Sequence, residues 1–364
     1  MVKKGFLLLN FLGFSFKKYE KIKGCFADID EILTAAEGSL LATRVFDDAD
    51  IKKISFIKRD GSLDKELELI AAGSIDCLDV LDKDYPQLLR QIDNPPLVLY
   101  IKGDRQIFNQ EILAIVGSRL ATVYGISVAE EFSSRLASLG FVIASGLARG
   151  IDTAAHRGAL SSGRTAAILG SGLLKIYPKE NERLAESVSH KGAVISEFPL
   201  NTPPLKENFP RRNRVVSGIS KGVLVVEAAI KSGALITARL ALEQNREVFA
   251  IPGNIDSFLS QGTNKLIKEG ACLVESFEDI LGELPFEVRK IASAISLELK
   301  PEEKIVFDIV RRKPSAALEE IAQESQLSHS SFSRIVLDLQ LKGLIREFRP
   351  GIFMSTAIGK EKVS

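Results

Sequence analysis

An α/β protein built on an open parallel sheet is the fold class this sequence predicts, and three observations carry the prediction. From about residue 101 to residue 281, short apolar β-branched runs alternate with amphipathic helical stretches, the pattern of successive β-α-β units. Four of those runs end in small or cationic turns: Gly117-Ser118-Arg119, Gly146-Leu-Ala-Arg149-Gly150-Ile-Asp152, Gly170-Ser171-Gly172 and Lys231-Ser232-Gly233-Ala234. The chain on either side lacks the alternation and reads as mostly helical.

Taken in order, residues up to about Ala72 carry short helical patterns, Ile29-Asp-Glu-Ile-Leu-Thr-Ala35 and Asp64-Lys-Glu-Leu-Glu-Leu-Ile70, broken by Gly24, Gly38 and Gly61. Lys3-Lys4 and the apolar run Gly5 to Phe14 imitate a signal peptide. Asn10 interrupts that run, no small-x-small cleavage site follows, and Lys17-Lys18-Tyr19-Glu20-Lys21 resumes a charged amphipathic pattern, so a folded helix is expected. The run is also too short to span a bilayer. Pro95-Pro96 then leads into a hydrophobic strand through Tyr100 that opens the core. Further strands are expected near Ile112, Phe141, Ala166, Ala193, Val223, Val248 and Cys272.

After Ile295 the pattern becomes compactly helical: Glu302 to Arg312, Ala317 to Ser325, then Ser328 capping a helix from His329 to about Gly343. Leu344 to Phe348, the Pro350-Gly351 turn and Ile352 to Met354 read as two strands, which completes a helix-turn-helix plus wing. Such a domain serves either duplex DNA or protein contacts, and the sequence leaves both open. The expected domains are therefore 1–75, 76–285 and 296–358.

The richest chemistry lies in Phe209-Pro-Arg-Arg-Asn-Arg214, which packs three arginines, an amide and an aromatic ring into one expected loop ahead of the buried strand Val223 to Glu227. Arginine forks match phosphate geometry and an aromatic face stacks a base, a pairing that suits an unpaired nucleic acid strand better than a small metabolite. The same residues are also the kind that cap a helix and pair with surface carboxylates. In a parallel sheet all the small turns lie along one carboxyl edge, where backbone N–H groups and helix N-termini meet anions. Asp152 is placed to cap the helix that follows it.

Bulk properties narrow the field. A chain of 364 residues with net charge +1 must hold any nucleic-acid site as a local basic patch, which argues against a general duplex coat. Cys25, Cys77 and Cys272 are far apart, with no zinc or disulfide spacing, and read as reduced core residues. Catalysis finds little support. Lys175 stands where Gly170-Ser171-Gly172 would need a third glycine, no P-loop sequence occurs, and His156, His190 and His329 lie in separate segments. Glu197 and Glu227 are expected to brace the arginines or the turns. No catalytic residue, metal or cofactor is predicted.

The ordered set Gly117-Ser-Arg119, Ser145-Gly-Leu-Ala-Arg-Gly-Ile-Asp152, Ile195-Ser-Glu-Phe-Pro199, Phe209-Pro-Arg-Arg-Asn-Arg214, Ser232-Gly-Ala-Leu-Ile-Thr237, Val248-Phe-Ala-Ile-Pro-Gly-Asn254 and Gln261-Gly-Thr-Asn264 resembles the DNA-processing protein A family, DprA or Smf. The resemblance spans residues 85 to about 274. It implies an extended Rossmann-like core between a small helical domain of the helix-hairpin-helix or SAM-like kind and a winged-helix domain. It also implies a cytoplasmic, non-enzymatic homodimer that binds single-stranded DNA, protects incoming strands and loads the RecA recombinase in natural transformation.

Carried over residue by residue, the resemblance implies that Arg119 and Lys206 grip phosphates and Phe209 stacks a base. Gly117, Ser118, Gly146, Ser232 and Gly233 would supply backbone and hydroxyl donors, and Arg149, Arg211, Asn213 and Arg214 join the same expected site. Leu266, Ile267 and Val274 fall in the region that pairs two cores. Two other readings compete: a Rossmann-type nucleotide hydrolase, whose Pro-Gly-Gly-x-Gly-Thr turn is replaced here by Lys231-Ser-Gly-Ala-Leu-Ile-Thr237, and a ligand-sensing winged-helix regulator.

Overall fold

The computed structural model describes residues 2–284, 299–313, 316–341, 344–349 and 351–355. The chain divides into two compact units, 1–285 and 286–364. The expected domain boundary between 285 and 296, together with Gly343 and Pro350, lies outside the described residues.

The first unit begins with five helices: α1 (Lys4–Phe11), α2 (Phe16–Ile22), α3 (Glu37–Ala42), α4 (Asp48–Asp60) and α5 (Ser62–Ala72). The run that imitates a signal peptide is α1, and its Phe6, Leu7, Leu8 and Leu9 are fully buried. The helix expected at Ile29 is a 3-10 turn, Ile29–Leu33. Asp47 and Asp50 close a reciprocal capping box on α4. These helices share one continuous hydrophobic cluster with the sheet that follows.

That sheet has nine strands in the order β1-β2-β6-β5-β4-β3-β7-β8-β9. They are β1 (Asp76–Asp79), β2 (Val98–Gly103), β3 (Ile112–Val116), β4 (Val142–Ser145), β5 (Arg164–Ile168), β6 (Ala193–Ser196), β7 (Gly222–Val225), β8 (Glu247–Ala250) and β9 (Cys272–Leu273). Strands β3, β4, β6 and β7 are buried along their whole length, so they read in the sequence as unbroken apolar runs.

From β6 to β9 every pairing is parallel, as expected. The rest of the sheet corrects that expectation. β2 runs antiparallel to β6 and β1 antiparallel to β2, so the sheet is mixed.

The connections contribute α6 (Gln87–Arg90), α7 (Val123–Ser138), α8 (Ile151–Ser162), α9 (Glu182–Lys191), α10 (Asn208–Gly218), α11 (Gly233–Glu243), α12 (Gln261–Lys268) and α13 (Phe277–Glu283). The cysteines depart from the core reading: Cys25 is exposed, Cys77 and Cys272 are partly buried, and all three are free.

In the second unit, α14 (Pro301–Arg312), β10 (Ala316–Ala317), α15 (Leu318–Ser325), α16 (His329–Leu341), β11 (Ile345–Arg349) and β12 (Ile352–Ser355) occupy the stretch expected to form a winged helix. Its strands pair antiparallel in the order β10-β12-β11. Phe307, Val310, Ile321, Phe332 and Leu339 form its core. The hydroxyl of Ser328 accepts from Ser331 N at 3.4 Å, the cap expected for α16. Among the described residues, no helix is long and apolar enough to cross a membrane.

Candidate nucleic-acid interface

The strand order reverses at β3. From it the chain winds through β4 and β5 to β6 on one side, then returns to β7, β8 and β9 on the other. Crossover helices that leave in opposite directions open a crevice beyond the strand carboxyl ends at such a point. A cleft of about 790 Å³ lies there. Gly117, Ser118 and Arg119 enter it from the end of β3, Gly146 from the end of β4, and Ser232 and Gly233 from the start of α11. Lys206, Phe209, Arg212 and Asn213 line it from α10 and the turn before it.

The basic run was expected in a loop, yet it forms the first turns of α10. Pro210 sits in the opening turn, where its missing N–H disrupts no helical bond. Helical geometry then separates the three arginines. Arg211 and Arg214, three residues apart, both reach Glu197, and Arg214 also donates to Asn94 O. Neither lines the switch-point cleft. Glu197 braces the arginines as predicted, whereas Glu227 accepts from Thr122 N at 2.9 Å and from its hydroxyl at the start of α7.

Arg212, which the sequence did not single out, turns inward and is 4% exposed. Its guanidinium donates to Ile168 O and lies against Gly146, where any Cβ would overlap it. Burial pulls its pKa down to about 10, with Asp152 pulling the other way, so it remains a cation at neutral pH. Asp152 lies in the first turn of α8, with Gly150 at the N-cap. Its carboxylate ties down the preceding turn instead, accepting from Gly146 N at 3.1 Å and Ala148 N at 3.3 Å. Burial raises the Asp152 pKa, against Arg212 and these bonds.

Phe209 is half-buried over Gly170, where a Cβ would come within 2.7 Å of the ring. Tyr177 stands beside it with ring centroids 5.6 Å apart, and the Arg119 guanidinium lies 5.6 Å from the same ring. Lys206 and Arg119 are exposed, and among the described residues neither has a carboxylate within ion-pair distance. The hydroxyls of Ser118 and Ser232 accept from Leu120 N and Ala234 N, both at 3.1 Å, which leaves their protons to donate. Asn213 donates to Gly233 O at 3.4 Å across the cleft. Arg149 is held by Glu180 at 2.7 Å and lines a small adjoining hollow with Arg119, Tyr177 and Phe209.

Sequence reasoning missed Tyr177, Leu120, Ile236 and Phe258, all exposed residues that line this cleft. An aromatic beside proline, Tyr177-Pro178, was the one available signal. His156 is a buried core histidine: its Nδ1 lies 2.7 Å from the Thr165 hydroxyl, and burial lowers its pKa to about 3. Val274 is fully buried and Leu266 nearly so, while Ile267 packs against the same core. The exposed apolar residue of that region is Leu273.

Residues 76–285 match the model of the DNA recombination-mediator protein A family. The chain belongs to this family. It is similar to Protein Smf of Escherichia coli, 51% identical over 211 residues that make up 57% of this chain and 56% of that one. It is also similar to DNA processing protein DprA of Streptococcus pneumoniae, 43% identical over 62% of this chain and 79% of that one. The crystal structure of the Streptococcus pneumoniae DprA superposes with a TM-score of 0.70 and 35% identity, covering 79% of this chain and 99% of that one. A structure of DNA processing protein A from Helicobacter pylori, concerned with its single-stranded DNA binding mode, superposes with a TM-score of 0.53 and 30% identity over 57% of this chain and 94% of that one. The recombination-mediator match covers the whole nine-stranded sheet, and with it every residue of the cleft.

Proposed function

We propose that this recombination mediator binds single-stranded DNA across the switch-point cleft and acts by binding alone. One observation carries the reading: the Phe209 ring stands over Gly170 at 5.6 Å from both the Tyr177 ring and the Arg119 guanidinium, in a cleft whose Arg119 and Lys206 have no carboxylate partner among the described residues. A half-buried ring in a cleft lined by unpaired cations fits a stacked base with its neighbouring phosphates. Gly117 and Gly233 offer backbone donors, Ser118 and Ser232 offer hydroxyl protons, and buried Arg212, which fits only because Gly146 has no Cβ, keeps the floor positive. None of these groups reads a base edge, so sequence has little influence. The Helicobacter pylori protein, whose structure concerns single-stranded DNA binding, supports the ligand class.

The finer parts of the proposal are a homodimer, protection of incoming strands, and their transfer to the RecA recombinase during transformation in the cytoplasm. With Val274 and Leu266 buried inside the protomer, the exposed Leu273 on edge strand β9 is the residue to test. Light scattering of wild type and Leu273→Arg reports on assembly, and a monomeric wild type at micromolar concentration refutes the dimer.

The binding test is fluorescence anisotropy with oligothymidylates, matched duplexes and thymidine monophosphate. Affinity that rises with strand length supports the proposal. Equal affinity for the mononucleotide transfers the site to the nucleotide-hydrolase reading.

A further inference from the structure

The start of α10 separates two clefts. Pro204, Lys206 and Phe209 face the switch point, whereas Leu205, Asn208 and Arg211 line a second hollow of about 500 Å³ on the other side of the same segment. Helices α1 and α5 close that hollow through Asn10, Ser62 and Lys65. Nothing in the account of the first cleft uses it.

One of its donors is unspent. Asn208 is 6% exposed, and its side-chain Nδ2 has no hydrogen-bond partner among the described residues. An orphaned buried amide carries a desolvation cost that a bound acceptor recovers. Beside it the Arg211 guanidinium, partly exposed, lies 5.2 Å from the Phe198 ring and pairs through one nitrogen with Glu197 at 3.2 Å. Lys65 is exposed, and among the described residues its carboxylate partner is Asp60 at 3.4 Å. Glu66, the acid of the hollow, is occupied in accepting from Leu200 N at 2.8 Å. A buried amide donor with a guanidinium and an ammonium at the rim fits a ligand that carries both a neutral acceptor and an anion.

We infer that this second cleft takes a further nucleotide of the strand held in the first, a base acceptor meeting Asn208 and a phosphate meeting Arg211 and Lys65. The inference rests on the proposed single-strand reading and extends it. A strand that leaves Phe209 past Lys206 crosses one turn of chain to reach Asn208 and Arg211, so the two clefts lie in sequence along one path.

The test is anisotropy on the intact chain with oligothymidylates lengthened one nucleotide at a time. Wild type should gain affinity in a step once the strand is long enough to pass Phe209 and enter the second cleft. Asn208→Ala and Lys65→Gln should each lower the affinity of long strands by about 2- to 12-fold, the value of one hydrogen bond, and leave the shortest binding strand at wild-type affinity. Lys65→Gln should also make the salt slope shallower by about 0.7 on long strands only. Lys65 is exposed, so its variant decides the matter if Asn208→Ala disturbs α10.

A missing step, or a step unchanged in Lys65→Gln, overturns the second cleft. Phe209-dependent binding of the short strand would still leave the first reading standing. Thymidine monophosphate that binds in a Lys65-dependent way as tightly as the long strand makes the hollow a free-nucleotide pocket, which also overturns the inference.

Discussion

Cations at the two edges of the nine-stranded sheet are held differently where the cleft opens and where it does not. At the amino edge Arg164, opening β5, meets Asp104 at 2.7 Å and Lys221, ahead of β7, meets Glu111 at 2.6 Å, while Arg246, ahead of β8, donates to Leu88 O at 2.8 Å. At the carboxyl edge Arg119 and Lys206 are exposed without carboxylates, and Arg119 leans on an aromatic ring instead. Arg212 is buried beneath them, with a carbonyl and the charge of Asp152 for company. The charges of Arg164 and Lys221 are closed by carboxylates, and those of Arg119 and Lys206 are held open even though Arg149, on the same edge, is paired with Glu180. Neutralised cations serve the fold, whereas cations kept unpaired above a preorganised floor serve a ligand.

The largest effect should come from breaking that floor. Arg212→Ala leaves Asp152 as a buried charge without its counter-cation and Ile168 O without its donor, which should destabilise the first unit by about 3–5 kcal/mol in denaturant unfolding. Arg119→Ala, exposed above it, should change stability by no more than about 0.5 kcal/mol. Equal effects of the two would erase the distinction between floor and rim.

Next comes the ring. Phe209→Ala should remove a stacking contribution of roughly 1–3 kcal/mol, or about 5- to 150-fold in affinity for an oligothymidylate. Stability should fall far less than in Arg212→Ala, because the ring is only half-buried. Unchanged affinity would remove Phe209 from the site.

The contrast between edges was only partly legible in the sequence. β3, β4, β6 and β7 were readable because they are buried on both faces and therefore apolar throughout. β1 was not, since Asp76-Cys-Leu-Asp79 offers only two residues that a strand would bury. Its antiparallel pairing, like that of β2, depends on partners distant in the chain.

At the site, composition revealed the cations but not their directions. Successive residues of a helix point about 100° apart, so Arg211 faces outward and Arg212 inward although the sequence treats them alike. Pro210 favoured a loop, but the first helical turn tolerates it. Tyr177 joins Phe209 only through the fold, from another connection.

His156, buried on α8 against Thr165 near the start of β5, gives a pH signature. Its folded pKa of about 3 lies below the ordinary 6.5 because burial disfavours the charged ring. Between those values the unfolded chain binds a proton that the folded chain does not, so stability is fully present above about pH 6.5 and falls as pH drops toward 3. The slope approaches about 1.4 kcal/mol per pH unit for one proton. Asp152 titrates in the opposite sense, so the measurement is the difference between wild type and His156→Gln across that range. Identical profiles would mean that His156 is not held neutral.

The smallest expected effect is the sharpest test of the comparison, because it sets matched arginines from the two edges against each other. Each phosphate neutralised on a single strand steepens the dependence of log affinity on log salt by about 0.7. Arg119→Ala should therefore make the slope shallower by about 0.7, since its charge is committed to no carboxylate. Arg164→Ala removes an equal charge from a pair that is already neutral, so the slope should not move, and stability should fall by no more than about 1 kcal/mol because both partners are partly exposed. Long-range attraction to the whole chain would lower both slopes alike, and that outcome would replace the open edge with a diffuse field. A change in Arg119→Ala alone ties the counterion release to the cleft, where the unpaired cation, the ring and the helix N-termini meet.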